Sequence, residues 1–124
     1  AAAEPNLVKR ARLALANGET ASTRAGDACR SGDYDKCDAL LDEVKESVEL
    51  GKTSLDATGI DAARSPRHFK DAEIRVRKIL RLLDAVRSYV HSEDMSHFEA
   101  VRARVSEIND QLLSAIMKKQ RRKK

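Results

Sequence analysis

Apolar side chains recur along this chain in alternating steps of three and four. One line reads Tyr34, Cys37, Leu41, Val44, Val48, Gly51, Leu55, and another reads Phe69, Ala72, Val76, Ile79, Leu83, Val86, Val90. A spacing of three and four keeps one stripe of an α-helix apolar, the pattern of helices packed nearly parallel with knobs set into holes. Period-two alternation, the mark of a half-buried strand, is missing.

Start and stop signals cut this pattern into four predicted helices. Pro5, favoured in a first turn, opens a helix over about 5–30, and Ser31-Gly32-Asp33 supplies the turn that ends it. Asp33 is the expected N-cap of a second helix over about 34–58, which fades at Thr58-Gly59. Ser65-Pro66 starts a third over about 66–90, and Ser92 with Glu93 and Asp94 starts a fourth over about 93–118. Residues 59–65 are the linker.

Folding the first half about Asp33 pairs positions whose numbers total about 66. Cys29 then meets Cys37, Ala25 meets Leu41, Ser22 meets Val44, Gly18 meets Val48, Leu15 meets Gly51 and Ala11 meets Leu55. Small faces large almost throughout, which accounts for two glycines kept mid-helix at about 1 kcal/mol each. In the second half the pairs total 184: Phe69 with Ala115, Ala72 with Leu112, Val76 with Ile108, Ile79 with Val105, Leu83 with Val101, Val86 with Phe98. The reading is all-α: two long antiparallel hairpins forming an up-down-up-down four-helix bundle over residues 1–117, with a basic tail at 118–124. Other apolar positions, Leu40, Leu50, Ile74, Leu80, Leu82, Tyr89 and Leu113 among them, are expected to dock one hairpin on the other.

Charge refines this picture. The 124 residues carry +4, yet Lys118, Lys119, Arg121, Arg122, Lys123 and Lys124 supply six positive charges and leave −2 for the rest. Residues 1–32, 33–57, 58–91 and 92–117 carry +2, −5, +4 and −3, and this alternation predicts that neighbouring antiparallel helices pair by opposite sign. Charge-free stretches fall far short of the roughly 20 apolar residues of a membrane span, which predicts a soluble protein. The opening AAAEPN has small residues and no initiator Met, as signal-peptide cleavage or an artificial boundary would leave it.

Candidate chemistry is sparse. Cys29 and Cys37 fall in one layer beside the turn, where an oxidising compartment would bridge them and a reducing one would leave two small buried thiols. The segment AGDACRSGDYDKCDALL, residues 25–41, resembles the helix-turn-helix junction of a tetratricopeptide repeat, with Gly32, Asp33 and Tyr34 at the turn. Cys37 departs from that repeat's preferred Ala and Arg24 from its Leu, and a second copy is missing, so no peptide-binding solenoid is implied. More loosely, the chain resembles small exported helical-bundle proteins of unknown function.

Asp94 and His97 share a helical face with His91 nearby, but the Glu-x-x-His motifs of a di-metal bundle are missing. No nucleophile, base and orienting group can be assembled, so the sequence predicts no enzyme, no catalytic residue, no metal, no cofactor and no small-molecule substrate. A basic line on the third helix, Arg67, Lys70, Arg77 and Arg81, reads mainly as a salt-bridged exterior and, with the tail cations, as a candidate anion-binding surface. The favoured function is a non-enzymatic interaction or structural module that contacts another protein or a second copy of itself, with export or a periplasmic location preferred over the cytoplasm. The alternative is an anion-binding protein using the third helix and tail on nucleic acid or an anionic membrane surface.

Overall fold

The computed structural model describes residues 5–122. Four α-helices occupy them: α1 (Pro5–Arg30), α2 (Tyr34–Ala57), α3 (Arg67–Val86) and α4 (Met95–Arg122). Two 3-10 turns, Arg87–Tyr89 and Ser92–Asp94, lie between α3 and α4. The all-α bundle expected from the apolar spacing is the observed architecture.

Asp33 organises the first hairpin from both sides. Its backbone N–H donates to Ala28 O at 2.9 Å while Gly32 N–H donates to Cys29 O at 3.1 Å, closing α1 in a Schellman turn with Gly32 at φ +85°. The Asp33 carboxylate then accepts from Lys36 N–H at 3.2 Å and opens α2. One residue thus ends one helix and starts the next, and the chain reverses within three positions.

The register predicted for the first hairpin holds, and the contacts of the second lie within two positions of the expected total. Gly18 lies against Val48, Gly51 against Leu15, and Cys29 beside Cys37. In the second hairpin Arg102 pairs with Asp84, Arg87 with Glu99, and the Arg87 guanidinium lies 5.1 Å from the centre of the Phe98 ring. The seam residues Leu41, Val44, Val48, Val76, Ile79, Leu83, Phe98, Val101 and Val105 are fully enclosed, each contributing about 1.5–3 kcal/mol if large.

How the hairpins meet is less simple than successive helices standing side by side. α1 packs on α2 and α3, and α4 packs on α2 and α3, so α1 faces α4 across one diagonal and α2 faces α3 across the other. A Cβ on Gly18 would approach Ile79 and one on Gly26 would approach Val86, so α1 and α3 run in the same direction. Asp42 to His97 and Glu49 to Arg104 set α2 and α4 parallel as well. The up-down-up-down order of directions is kept, while the α2–α3 connection crosses the bundle. That crossing requires a longer connection than the tight turn between α1 and α2. Gly59, at φ +75°, turns the chain out of α2; Asp61 then folds the linker by accepting from Ala63, Arg64 and Ser65 N–H groups, and Ala62 is buried over the end of the core.

The antiparallel neighbours, α1 with α2 and α3 with α4, carry opposite net charge as expected, while the parallel neighbours share a sign. The two positive segments lie side by side as α1 and α3, and the two negative ones as α2 and α4. Individual residues decide these parallel contacts. Glu19, the acidic residue in mid-α1, lies 3.7 Å from Arg75 and 3.2 Å from Lys78 of α3, and Arg104 of α4 reaches Glu49 of α2 at 2.9 Å.

Four boundaries also move. α3 stops at Val86 because the chain must tighten into Arg87–Tyr89 and then extend at Val90 and His91 to reverse. His91, not Ser92, caps the following turn, its Nδ1 accepting from Glu93 N–H at 3.3 Å. Pro66 stands at the start of α3 with no side-chain cap, since Ser65 instead donates its N–H to Asp61 O at 2.8 Å. α4 continues through Arg122, beyond the expected end at Lys118.

Candidate interaction surface

The outer side of the first hairpin carries the largest departure from expectation. Asn6, Arg10, Leu13 and Asn17 share one face of α1, and Glu43, Ser47 and Leu50 share one face of α2. Between these faces runs an open groove of about 430 Å³, floored by Leu13, Ala14 and Leu50 and flanked by Lys9 and Arg10. Leu13 is 61% exposed and Leu50 46%. Asn17 bridges the helices next to them, its Nδ2 donating to Ser47 Oγ at 2.8 Å and to Glu43 Oε2 at 2.9 Å. The sequence reading placed Leu50 at the contact between hairpins and overlooked Leu13. Both lie on the face turned away from α3 and α4, because the α1–α2 seam already uses Leu15 and Gly51.

Ile74 and Leu113 are likewise exposed and do not dock the hairpins, whereas Tyr89, though exposed, meets α1. Docking is carried by Ala21 and Leu40, which are buried in the core, with Leu80 and Ile116 half-buried against it. Small side chains on α1 let α3 approach closely, so the large apolar residues beside them are not needed there. Tyr89 lies under the Arg30 guanidinium at 5.6 Å, beside a small recess that Leu82 also lines.

Cys29 and Cys37 stand at bridging distance, with sulfurs 2.12 Å apart and Cα atoms 5.3 Å apart. Tyr34 stacks on His91 at 4.9 Å just beyond them, joining this turn to the α3–α4 junction.

The histidines considered for a metal separate. His91 serves as a cap against Tyr34, while His97 Nε2 lies 3.0 Å from Asp42 of α2, too poorly aligned for a hydrogen bond. Among the described residues no three His, Cys, Asp or Glu side chains are grouped to hold a metal ion. Near His97, Asp38 is pushed above its ordinary carboxylate value by burial and by the hydrogen bond and charge of Asp94.

A buried polar contact that the sequence reading missed joins α3 to α4. Glu73 is 5% exposed, takes two hydrogen bonds from Arg77 at 3.1 and 2.5 Å, and accepts from Asn109 Nδ2 at 3.0 Å. Asn109 also donates to Glu73 O at 3.2 Å. The Arg77 hydrogen bond holds the Glu73 carboxyl below its usual range against the effect of burial, helped by Asn109. The signal was available: Glu73 lies four residues after Phe69 and three before Val76, and Asn109 lies four after Val105 and three before Leu112.

Of the anion-binding candidates on α3, Arg77 is therefore engaged with Glu73. Arg67, Lys70 and Arg81 are exposed and make no ion pair among the described residues. Lys118 is exposed near the end of α4; Lys119, Arg121 and Arg122 continue the helical backbone, and Lys123 and Lys124 lie outside the described residues. No helix among the described residues is long and apolar enough to cross a membrane.

Comparison of the chain with protein-family models, with curated proteins and with solved structures returns no match.

Proposed function

We propose that this chain is a non-enzymatic helical interaction module whose working surface is the outer groove of the α1–α2 hairpin. The observation that carries this reading is the pairing of Leu13 and Leu50, two large apolar side chains held side by side in solvent on a rigid scaffold with charge around them. Grouped apolar exposure rimmed by polar residues is the usual mark of a protein contact site. Placement outside the reducing cytosol is part of the proposal, supported by the bridging distance between Cys29 and Cys37.

A second reading takes Arg67, Lys70, Arg77 and Arg81 together with the Lys118 to Lys124 tail as a surface for nucleic acid or anionic membrane. It is favoured by the exposed, unpaired state of Arg67, Lys70 and Arg81 among the described residues. Gel shift and sedimentation with anionic vesicles, run on the full chain and on a chain ending at residue 117, separate the two. The proposal expects no salt-sensitive binding by either protein. Binding that weakens with salt and disappears on truncation contradicts it, because counterion release would then drive the interaction.

A further inference from the structure

The charges along the α1–α2 groove are arranged so that the surface complements itself. Lys9 and Arg10 are exposed at one end and make no ion pair among the described residues. Glu43 and Glu46 lie at the other end of the same face, with Leu13 and Leu50 between the two signs. By the register of the hairpin, Leu50 stands one turn above Leu13, with Lys9 and Arg10 roughly one turn below this pair and Glu46 and Glu43 one to two turns above. Turning a second copy end over end about the leucines places its acidic end against the basic end of the first, twice over. A two-fold contact must be self-complementary, and a face with positive charge, apolar centre and negative charge in sequence satisfies that condition.

From this pattern we infer that the occupant of the groove is a second copy of this chain, forming an antiparallel homodimer with Leu13 and Leu50 of both copies at its centre. The inference rests on the interaction-module reading and names its partner. Asn17, held by Ser47 and Glu43, keeps a polar group at the edge of the apolar centre, which fixes the register in which the two copies meet.

Sedimentation equilibrium on the full chain, from micromolar to near-millimolar concentration, tests this. Wild type should pass from monomer to dimer. Leu13→Glu should remain monomeric. Lys9→Glu combined with Arg10→Glu, and separately Glu43→Lys combined with Glu46→Lys, should each weaken self-association at least about tenfold, and mixing these two reversed proteins should restore a dimer containing one of each. Circular dichroism of each variant checks that the bundle is intact, and Glu46→Lys alone, at an exposed position, repeats the acidic reversal without touching the Asn17 contact of Glu43. A wild-type chain that stays monomeric throughout, or a dimer that ignores both charge reversals, overturns the homodimer. A monomer that also binds neither nucleic acid nor anionic vesicles overturns the homodimer alone and leaves the module with a different protein partner. Salt-sensitive binding lost on removal of the tail overturns the module reading itself.

Discussion

Gly51 of α2 lies so close to Leu15 of α1 that a Cβ at Gly51 would stand 2.8 Å from Leu15 Cδ2 and 2.9 Å from its Cγ. Leu15 is buried and has little room to retreat. Gly18, the other seam glycine, would present its Cβ to Ile79 Cδ1, the flexible tip of a side chain, at 3.1 Å. Gly51→Ala is therefore expected to lower stability by about 1 kcal/mol, overpacking outweighing the gain in helix propensity, while Gly18→Ala stays within about 0.5 kcal/mol of wild type. Urea midpoints of the two variants check the contrast.

Gly59 makes a different demand. At φ +75° with open space around it, its constraint is conformational and not steric. Gly59→Ala should cost about 1–2 kcal/mol, and Gly59→Asn less, since Asn tolerates the left-handed region better. Equal stabilities in urea denaturation would show that the linker can take another path out of α2.

The α3–α4 contact makes acid sensitivity predictable. Glu73 and Asp84 both titrate below their ordinary values, Glu73 chiefly through Arg77 and Asp84 chiefly through Arg102, whose Nε donates to it at 2.6 Å. A depressed folded-state value gives stability that is present above the unfolded value and is lost as pH falls through the folded one. Glu73→Gln should remove part of that loss, flattening stability against pH on the acid side. Asn109→Ala should cost about 1–3 kcal/mol at neutral pH by taking away one of the bonds to a buried carboxylate.

Asp38 has the opposite sign. Its value is raised, first by burial and then by Asp94, so its stabilising share exists below the unfolded value and disappears as pH rises through the raised folded value. Asp38→Asn should make the bundle more stable at neutral pH and bring no gain in acid. Thermal midpoints across the range from acid to neutral read both halves of this statement.

The contrast between these sites shows what the sequence made legible. Helix type and the two hairpin registers follow from local spacing, because a period of three and four and a capped turn at Asp33 fix which faces meet. The order of helices around the bundle does not follow from them. It depends on Glu19 meeting Arg75 and Lys78, and on Ala and Gly along α1 admitting α3, choices that net segment charge obscures. The buried Glu73 and Asn109 were hidden for a related reason. Each sits one position beside an apolar seam residue, Ala72 and Ile108, and either of two adjacent positions can satisfy the spacing. Leu13 and Leu50 became visible as surface only once α3 and α4 were seen to pack on the other side of the first hairpin, since the seam of Leu15 and Gly51 was already legible.

The cysteine pair links packing to compartment. In the chain-entropy account a bridge closing the short loop between Cys29 and Cys37 adds about 2–3 kcal/mol, so a reductant should lower the unfolding free energy measured in urea by that amount and Cys29→Ser should abolish the response. Thiol counting on denatured, unreduced protein from its native compartment gives the complementary answer. Zero free thiols in a monomer on a non-reducing gel is the expected result, and two per chain would remove the support for work outside the cytosol.

The central claim, that the outer α1–α2 face is the association surface, is tested most directly by amide chemical shifts recorded on the full chain from low to high concentration. The account predicts concentration-dependent shifts confined to residues 6–17 of α1 and 43–50 of α2, absent in Leu13→Glu. Shifts centred on Arg67, Lys70 and Arg81 of α3, or spectra that do not change with concentration, would contradict it.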